Sequence, residues 1–225
     1  MRAPKMGGDD VCHRGLPDMT SEERDEGAKK LTTTVAGSLV VVSCVGTAIA
    51  EATYRLGATS KAAAKIATLG GLDLGWLYLG IYAVTRTVGL VNMYPMIYKA
   101  RVMRSKSGNL RANMYLYKQV GKNSSDGAIV LEDDGDAGVY NRANRSMHHM
   151  VENAPSLLVS LAAAGFVFPF ASCVCACAWS AGRVVHQRGY TVGYGSHGLG
   201  FAISTLATEA LCGMVLIAGC RSLLA

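Results

Sequence analysis

The sequence predicts an all-α integral membrane bundle, and three observations carry that expectation. Half of the 225 residues are hydrophobic and only 17% are charged, with a positive mean hydropathy of +0.23, a balance typical of membrane proteins rather than soluble ones. Five apolar stretches recur along the chain, most of them near the ~20 residues that a helix needs to cross the hydrocarbon core. Inside the later stretches, polar residues return at helical spacing, which places them on shared helix faces.

In chain order, Met1 to Lys30 carries six basic and seven acidic residues and lacks the apolar core of a secretory signal. Its acidic residues also fit poorly with a cleaved transit peptide. Such a head cannot bury enough apolar area to fold alone, so any order in it must come from another element. Leu31 to Ala50 is a first span without a charge. Glu51 to Gly71 is a small-residue connector holding Arg55, Lys61 and Lys65. Leu72 to Tyr98 is a second span, with Asp73 at one end, Arg86 inside, and Trp76, Tyr78, Tyr82, Tyr94 and Tyr98 set as interfacial belts. Pro95 is positioned to kink it. Lys99, Arg101, Arg104 and Lys106 follow as a basic collar suited to lipid headgroups.

Ser107 to Tyr140 reads as a long solvated or partner-facing loop ending in Glu132, Asp133, Asp134 and Asp136. The calcium-loop pattern is absent from it. Three further spans follow: Ser146 to Phe168 with Glu152, the shorter Phe170 to Gln187 with Arg183, and Gly198 to Cys220 with Glu209. The chain thus divides into a polar extension (1–30), an added membrane helix and connector (31–71) and a four-helix membrane domain (72–225).

Lys and Arg favour the cytoplasmic or matrix side of short loops. With five spans, the N-terminus, the Lys99 to Arg145 loop and the Gln187 to His197 loop share one side, which collects most of the 22 basic residues. The net charge of +6 is therefore a topology signal, and no aromatic-interleaved basic motif points to nucleic acid. No repeat, P-loop, G-x-S-x-G elbow or H-E-x-x-H motif occurs. Cys173, Cys175 and Cys177 lie in an apolar run, unlike the wider-spaced, hydrated thiolates of zinc sites, and read as packing or lipid-facing residues. Cys12 alone has a polar setting. No metal site is expected.

Charged groups at membrane depth are costly and usually face a bundle interior, a ligand or one another. Arg145, His149 and Glu152 fall at i, i+4 and i+7; Arg183, His186 and Tyr190 fall at i, i+3 and i+7. Two polar stripes facing one pocket is the expectation. An internal network of Arg145, Glu152 and Arg183, and a separate pairing of Arg86 with Glu209, are the structural alternatives.

The run from Asn141 to Pro155, N-R-A-N-R-S-M-H-H-M-V-E-N-A-P, resembles the signature of the membrane-associated proteins in eicosanoid and glutathione metabolism, in which R-A-x-x-N-x-x-E precedes a proline. Gly182 to Tyr190, G-R-V-V-H-Q-R-G-Y, is similar to the same family's G-R-x-x-Y-x-x-G-Y. The likeness covers roughly Leu72 to Ala225 and is greatest to the microsomal glutathione S-transferase 3 branch. It implies a four-helix bundle in each subunit, a homotrimer, and glutathione bound between subunits near one membrane face. Arg145, Glu152, Arg183 and Tyr190 match residues that hold glutathione, with His149 and His186 in the same stripes. Guanidinium forks suit its carboxylates and a carboxylate suits its ammonium group.

The departures fall on the reactive end. His149 replaces the family's Asn, Asn153 its Tyr, His186 its first Tyr of the second motif, and no arginine lies in 196–200. A thiol of pKa near ~8.5 ionises at neutral pH only beside a cation. Arginine always supplies one, whereas histidine, near ~6.5, does not. Tyr190 and His197 are the nearest candidates for catalytic groups. The sequence therefore favours a non-catalytic accessory subunit of a larger membrane complex, among lipids and protein neighbours, in the mitochondrial inner membrane or alternatively the endoplasmic reticulum. An active glutathione transferase or lipid-hydroperoxide peroxidase is the second reading. A channel or transporter has only the intramembrane charges in its favour and lacks paired repeats.

Overall fold

The computed structural model describes residues 19–102, 114–121 and 127–225. Cys12, Arg104, Lys106 and most of the polar head lie outside the described residues. The elements run α1 (Ser21–Leu56), α2 (Thr59–Gly71), α3 (Gly75–Val102), β1 (Tyr117–Val120), β2 (Ala128–Leu131), α4 (Gly135–Val167), α5 (Pro169–Val192) and α6 (Gly198–Leu224). The fold is an all-α membrane bundle, with one short antiparallel hairpin among the described residues.

α3, α4, α5 and α6 make the central bundle. α5 packs against the other three, and α1 lies outside against α3. Val84, Val91, Met147, Met150, Leu157, Leu161, Trp179 and Leu211 form one continuous core. Glycines set the closest approaches: a Cβ on Gly200 would collide with the His186 backbone N, and one on Gly182 would lie 2.8 Å from the Ser204 N. These glycines let α5 and α6 touch backbone to backbone. The starts of α1, α4 and α6 and the ends of α3 and α5 share one end of the bundle, as contacts of Gly27 with Ala100, Arg101 with Asp136, and Gly189 with Ser196 require.

Five spans are expected from sequence, yet only α1, α4 and α6 are individually long and apolar enough to cross a bilayer. α2 and α3 qualify only as a pair, bent by 99°, where Asp73 takes a positive φ of 56°. Arg86 and the tyrosines dilute α3, and Arg183, His186, Gln187 and Arg188 dilute α5, which nevertheless sits between the other bundle helices. α3 continues through Pro95 without interruption.

Two further expectations are corrected. The first helix begins at Ser21 rather than at the apolar run, because Thr20 and Glu23 form a reciprocal capping box. Arg24 then pairs with Asp136 at 3.0 Å and Asp25 with Arg101 at 2.8 Å, so the start of α1 is held by the ends of α3 and α4. The fourth helix begins at Gly135, eleven residues before the expected Ser146. Its first turns bury Tyr140, Asn141 and Asn144 against the hairpin instead of against lipid.

Asn141 anchors this hairpin from both sides. Its Nδ2 donates to the Leu116 and Glu132 carbonyls at 2.8 and 2.7 Å, and its Oδ1 accepts from the Leu116 N–H at 2.9 Å. Asn144 donates to the Met114 carbonyl at 2.8 Å. The Lys118 ammonium sits 3.1, 2.6 and 2.9 Å from carboxylate oxygens of Glu132, Asp133 and Asp134. The acidic run is thus a cradle for Lys118 and closes the β2–α4 turn.

Gly200→Ala should force α6 off α5 and destabilise the fold by about 1–3 kcal/mol, the usual cost of overpacking; thermal unfolding in detergent would measure it. The Lys118 cradle holds the Asp133 carboxyl below its usual range and the lysine above its own. Asp133's contribution is present above its unfolded pKa and fades as pH falls through the lowered folded one. That of Lys118 is present below its unfolded pKa and fades as pH rises through the raised one. Methyl spectra of Ile129 should therefore show a docked hairpin across neutral pH, loosening well below pH ~4 and well above pH ~10.5.

Candidate functional site

α4 and α5 meet along a polar seam. From the hairpin end inward, Arg142 Nε donates to the Thr191 carbonyl at 3.1 Å, and Gln187 Nε2 to the Ala143 carbonyl at 2.9 Å. Arg183 Nη2 donates to the Ser146 carbonyl at 3.1 Å, and Ser146 Oγ lies 3.0 Å from His186 Nδ1. Arg183, His186 and Gln187 fall at i, i+3 and i+4, so all three point at α4. Arg183 is only 3% exposed. Its Nη1 lies 3.2 Å from His149 Nδ1. A guanidinium has no acceptor, so Nδ1 accepts and the His149 ring proton is on Nε2.

A chain of rings continues from this seam. His149 stacks on His186 with centroids 5.4 Å apart, His186 meets His197 edge-on at 5.4 Å, and Tyr190 meets His197 at 5.0 Å. Together with Arg145 and Phe201 these four residues line a cavity of about 130 Å³. His197 stands at the entrance to α6, its Nδ1 facing the Gly195 N–H.

Two of the expected site residues lie elsewhere. Glu152 does not line this cavity; its Oε1 pairs with Arg145 Nη1 at 2.8 Å, and both side chains are about half exposed on the outer face of α4. Arg183 opens instead on a second cavity of about 240 Å³, shared with His149, Phe201, Ser204, Thr208 and Glu209. Arg145, Glu152 and Arg183 therefore form no single ionic network. One exposed pair and one interior guanidinium take its place. Arg86 and Glu209 do not pair either: Arg86 Nη1 donates to Ser43 Oγ of α1 at 3.1 Å and lies over the Tyr82 ring.

Phe201 and Tyr115 belong to this region and were not expected. Phe201 lies one helical turn after His197, a spacing that could have disclosed it. Tyr115 precedes the α4 motif by about thirty residues and is brought back by the hairpin, so no local spacing marks it. Its hydroxyl bonds His148 Nδ1. Burial pushes that hydroxyl's pKa up, against the nearby Arg145 charge.

Among the described residues, the oxygens of Glu132, Asp133 and Asp134 alone converge as metal ligands would, within 4.8 Å of one another. The Lys118 ammonium already occupies their focus. Cys173, Cys175 and Cys177 grade from buried to exposed around α5 without converging.

Exposed ion pairs contribute ~0–1 kcal/mol, whereas losing hydrogen bonds made by a buried charged group, with a cavity left behind, costs more. Arg145→Gln should therefore change unfolding stability by less than about 1 kcal/mol and Arg183→Ala by about 2–4 kcal/mol, measured by denaturation in the same detergent.

Comparison with known proteins adds one match. No curated protein and no solved structure matches the chain. The profile of the MAPEG family matches residues 76–217, from the first turn of α3 to near the end of α6, and so takes in both motifs, the α4–α5 seam and the ring-lined cavity. With well over half of its length matched and the bundle in place, the chain belongs to the MAPEG family.

Proposed function

We propose that this MAPEG protein is a non-catalytic accessory subunit of a larger membrane complex, with the mitochondrial inner membrane as its setting. The observation that carries this reading is the state of the ionic groups. Arg145 and Glu152 neutralise each other at 2.8 Å, and Arg183 is turned inward onto Ser146 and His149. The first two are spent on each other, and both terminal nitrogens of the third are engaged inside the bundle. The ring-lined cavity of about 130 Å³ is well below the ~300 Å³ at which small-molecule pockets begin. Where a thiolate would need a fixed cation, His197 stands instead. α1 and the anchored hairpin add surface for neighbours, and the basic groups gathered at one end favour a compartment of negative potential.

A second reading, a glutathione transferase or peroxidase like the microsomal glutathione S-transferase 3 branch, is favoured by one observation: Arg145, His149, His186, Tyr190 and His197 do line a single cavity. A neighbouring copy would have to complete that cavity for a tripeptide to fit.

The purified protein should show no glutathione-dependent conjugation of chlorodinitrobenzene and no reduction of a lipid hydroperoxide above background. It should also leave the membrane in mild detergent with stoichiometric partners. Turnover abolished by Arg145→Ala or Tyr190→Phe, from a free homotrimer, would establish the transferase reading instead.

A further inference from the structure

The lateral face between α4 and α6 carries a group that lipid cannot solvate. Glu209 is exposed, and it lies eleven residues into α6, about 16 Å along the helix and so near the middle of a hydrocarbon core of ~30 Å. No cation lies within ion-pair distance of its carboxylate among the described residues. Asn153 and Ser156 of α4 and Thr205 of α6 are exposed beside it and line the same 240 Å³ groove. A carboxylate at that depth is costly against lipid, and such residues face protein or a polar cavity.

The rest of the bundle surface differs. The outer side of α3 is covered by α1, and its own mid-helix cation, Arg86, is engaged by Ser43. Val159, Phe166 and Leu216 are 71%, 69% and 66% exposed and suit lipid. The flank between α4 and α6 is the one that carries an unpaired carboxylate among the described residues. Its floor holds Arg183, 3% exposed and with Nε lacking any partner, but that guanidinium is directed at Ser146 and His149. The carboxylate end of the groove is therefore the end that accepts a cation.

We infer that the α4–α6 groove docks a transmembrane helix of a different subunit, which inserts one Lys or Arg side chain between Asn153, Ser156 and Thr205 to meet Glu209. The groove is the size of one long side chain rather than of a helix, so the partner helix lies along the flank and only its basic residue enters. The Ser156 and Thr205 hydroxyls and the Asn153 amide oxygen accept from its N–H groups. This inference rests on the accessory-subunit reading and names the chemistry of the neighbour.

A photo-crosslinking residue at Thr205, with Leu216 as control, is irradiated in native membranes. The expected result is one heterologous protein adduct at 205 and lipid adducts at 216. Glu209→Gln should lower recovery of that protein in mild detergent at least fivefold while leaving thermal unfolding unchanged. Glu209→Arg, combined with Glu in place of the partner's basic residue, should restore it. Lipid adducts alone at 205, adducts to a second copy of this chain, unchanged recovery with Glu209→Gln, or failure of the charge exchange would each overturn the assignment. Glutathione turnover by the wild-type protein would overturn the reading above it, and it is scored in a separate assay.

Discussion

In hydrocarbon no water is at hand, so polar groups inside the bundle must find partners there, and the seam between α4 and α5 supplies most of them, with Arg183 Nε and Gln187 Oε1 left over. Backbone carbonyls of Ala143, Ser146 and Thr191 each accept a side-chain hydrogen bond from the facing helix. This ties the register of α4 to that of α5. A slip of one residue would leave the Gln187 amide and the Arg183 guanidinium buried without acceptors, at ~1–3 kcal/mol or more for each group. Gly182 and Gly200 then bring α6 against α5 beside α4, so α5, not apolar enough to cross a bilayer alone, is enclosed by its neighbours.

The same seam forms one wall of the ring-lined cavity through His149 and His186. The residues that bind helix to helix, Arg183 and Gln187, serve the fold whether or not a ligand is present. His149 and His186 stack on each other, and their Nδ1 atoms meet Arg183 and Ser146, so the cavity wall is fastened to the seam.

Much of the fold was legible in the sequence because its signals are local. Apolar length gave the helices, and the spacing of Arg183 and His186 marked the face of α5 turned toward α4, although Gln187 on that face was not singled out. The six cavity-lining residues include four of those expected from the two stripes, together with His197. What was hidden depended on distant pairing. The early start of α4 could not be read because Asn141 and Asn144, polar and unremarkable in one dimension, are buried by a hairpin that lies upstream. Glu152 was placed in the pocket by spacing alone, yet an i+7 relation puts two residues on one side of a helix without saying whether that side faces inward. The division of the polar groups between two cavities arises from α6, whose sequence is nearly uniformly apolar and gave no hint that Glu209 shares a space with Arg183.

The length of α1 has one further consequence. Its 36 residues extend about 54 Å, against ~30 Å of hydrocarbon, and the clamp of Arg24, Asp25, Arg101 and Asp136 fixes its first turns to the hairpin end. With Leu31 at the lipid boundary, the ten residues from Ser21 to Lys30 stand about 15 Å above it. Helix stub and hairpin together make a raised parapet on that side, so a water-soluble molecule arriving there touches protein before it reaches the leaflet.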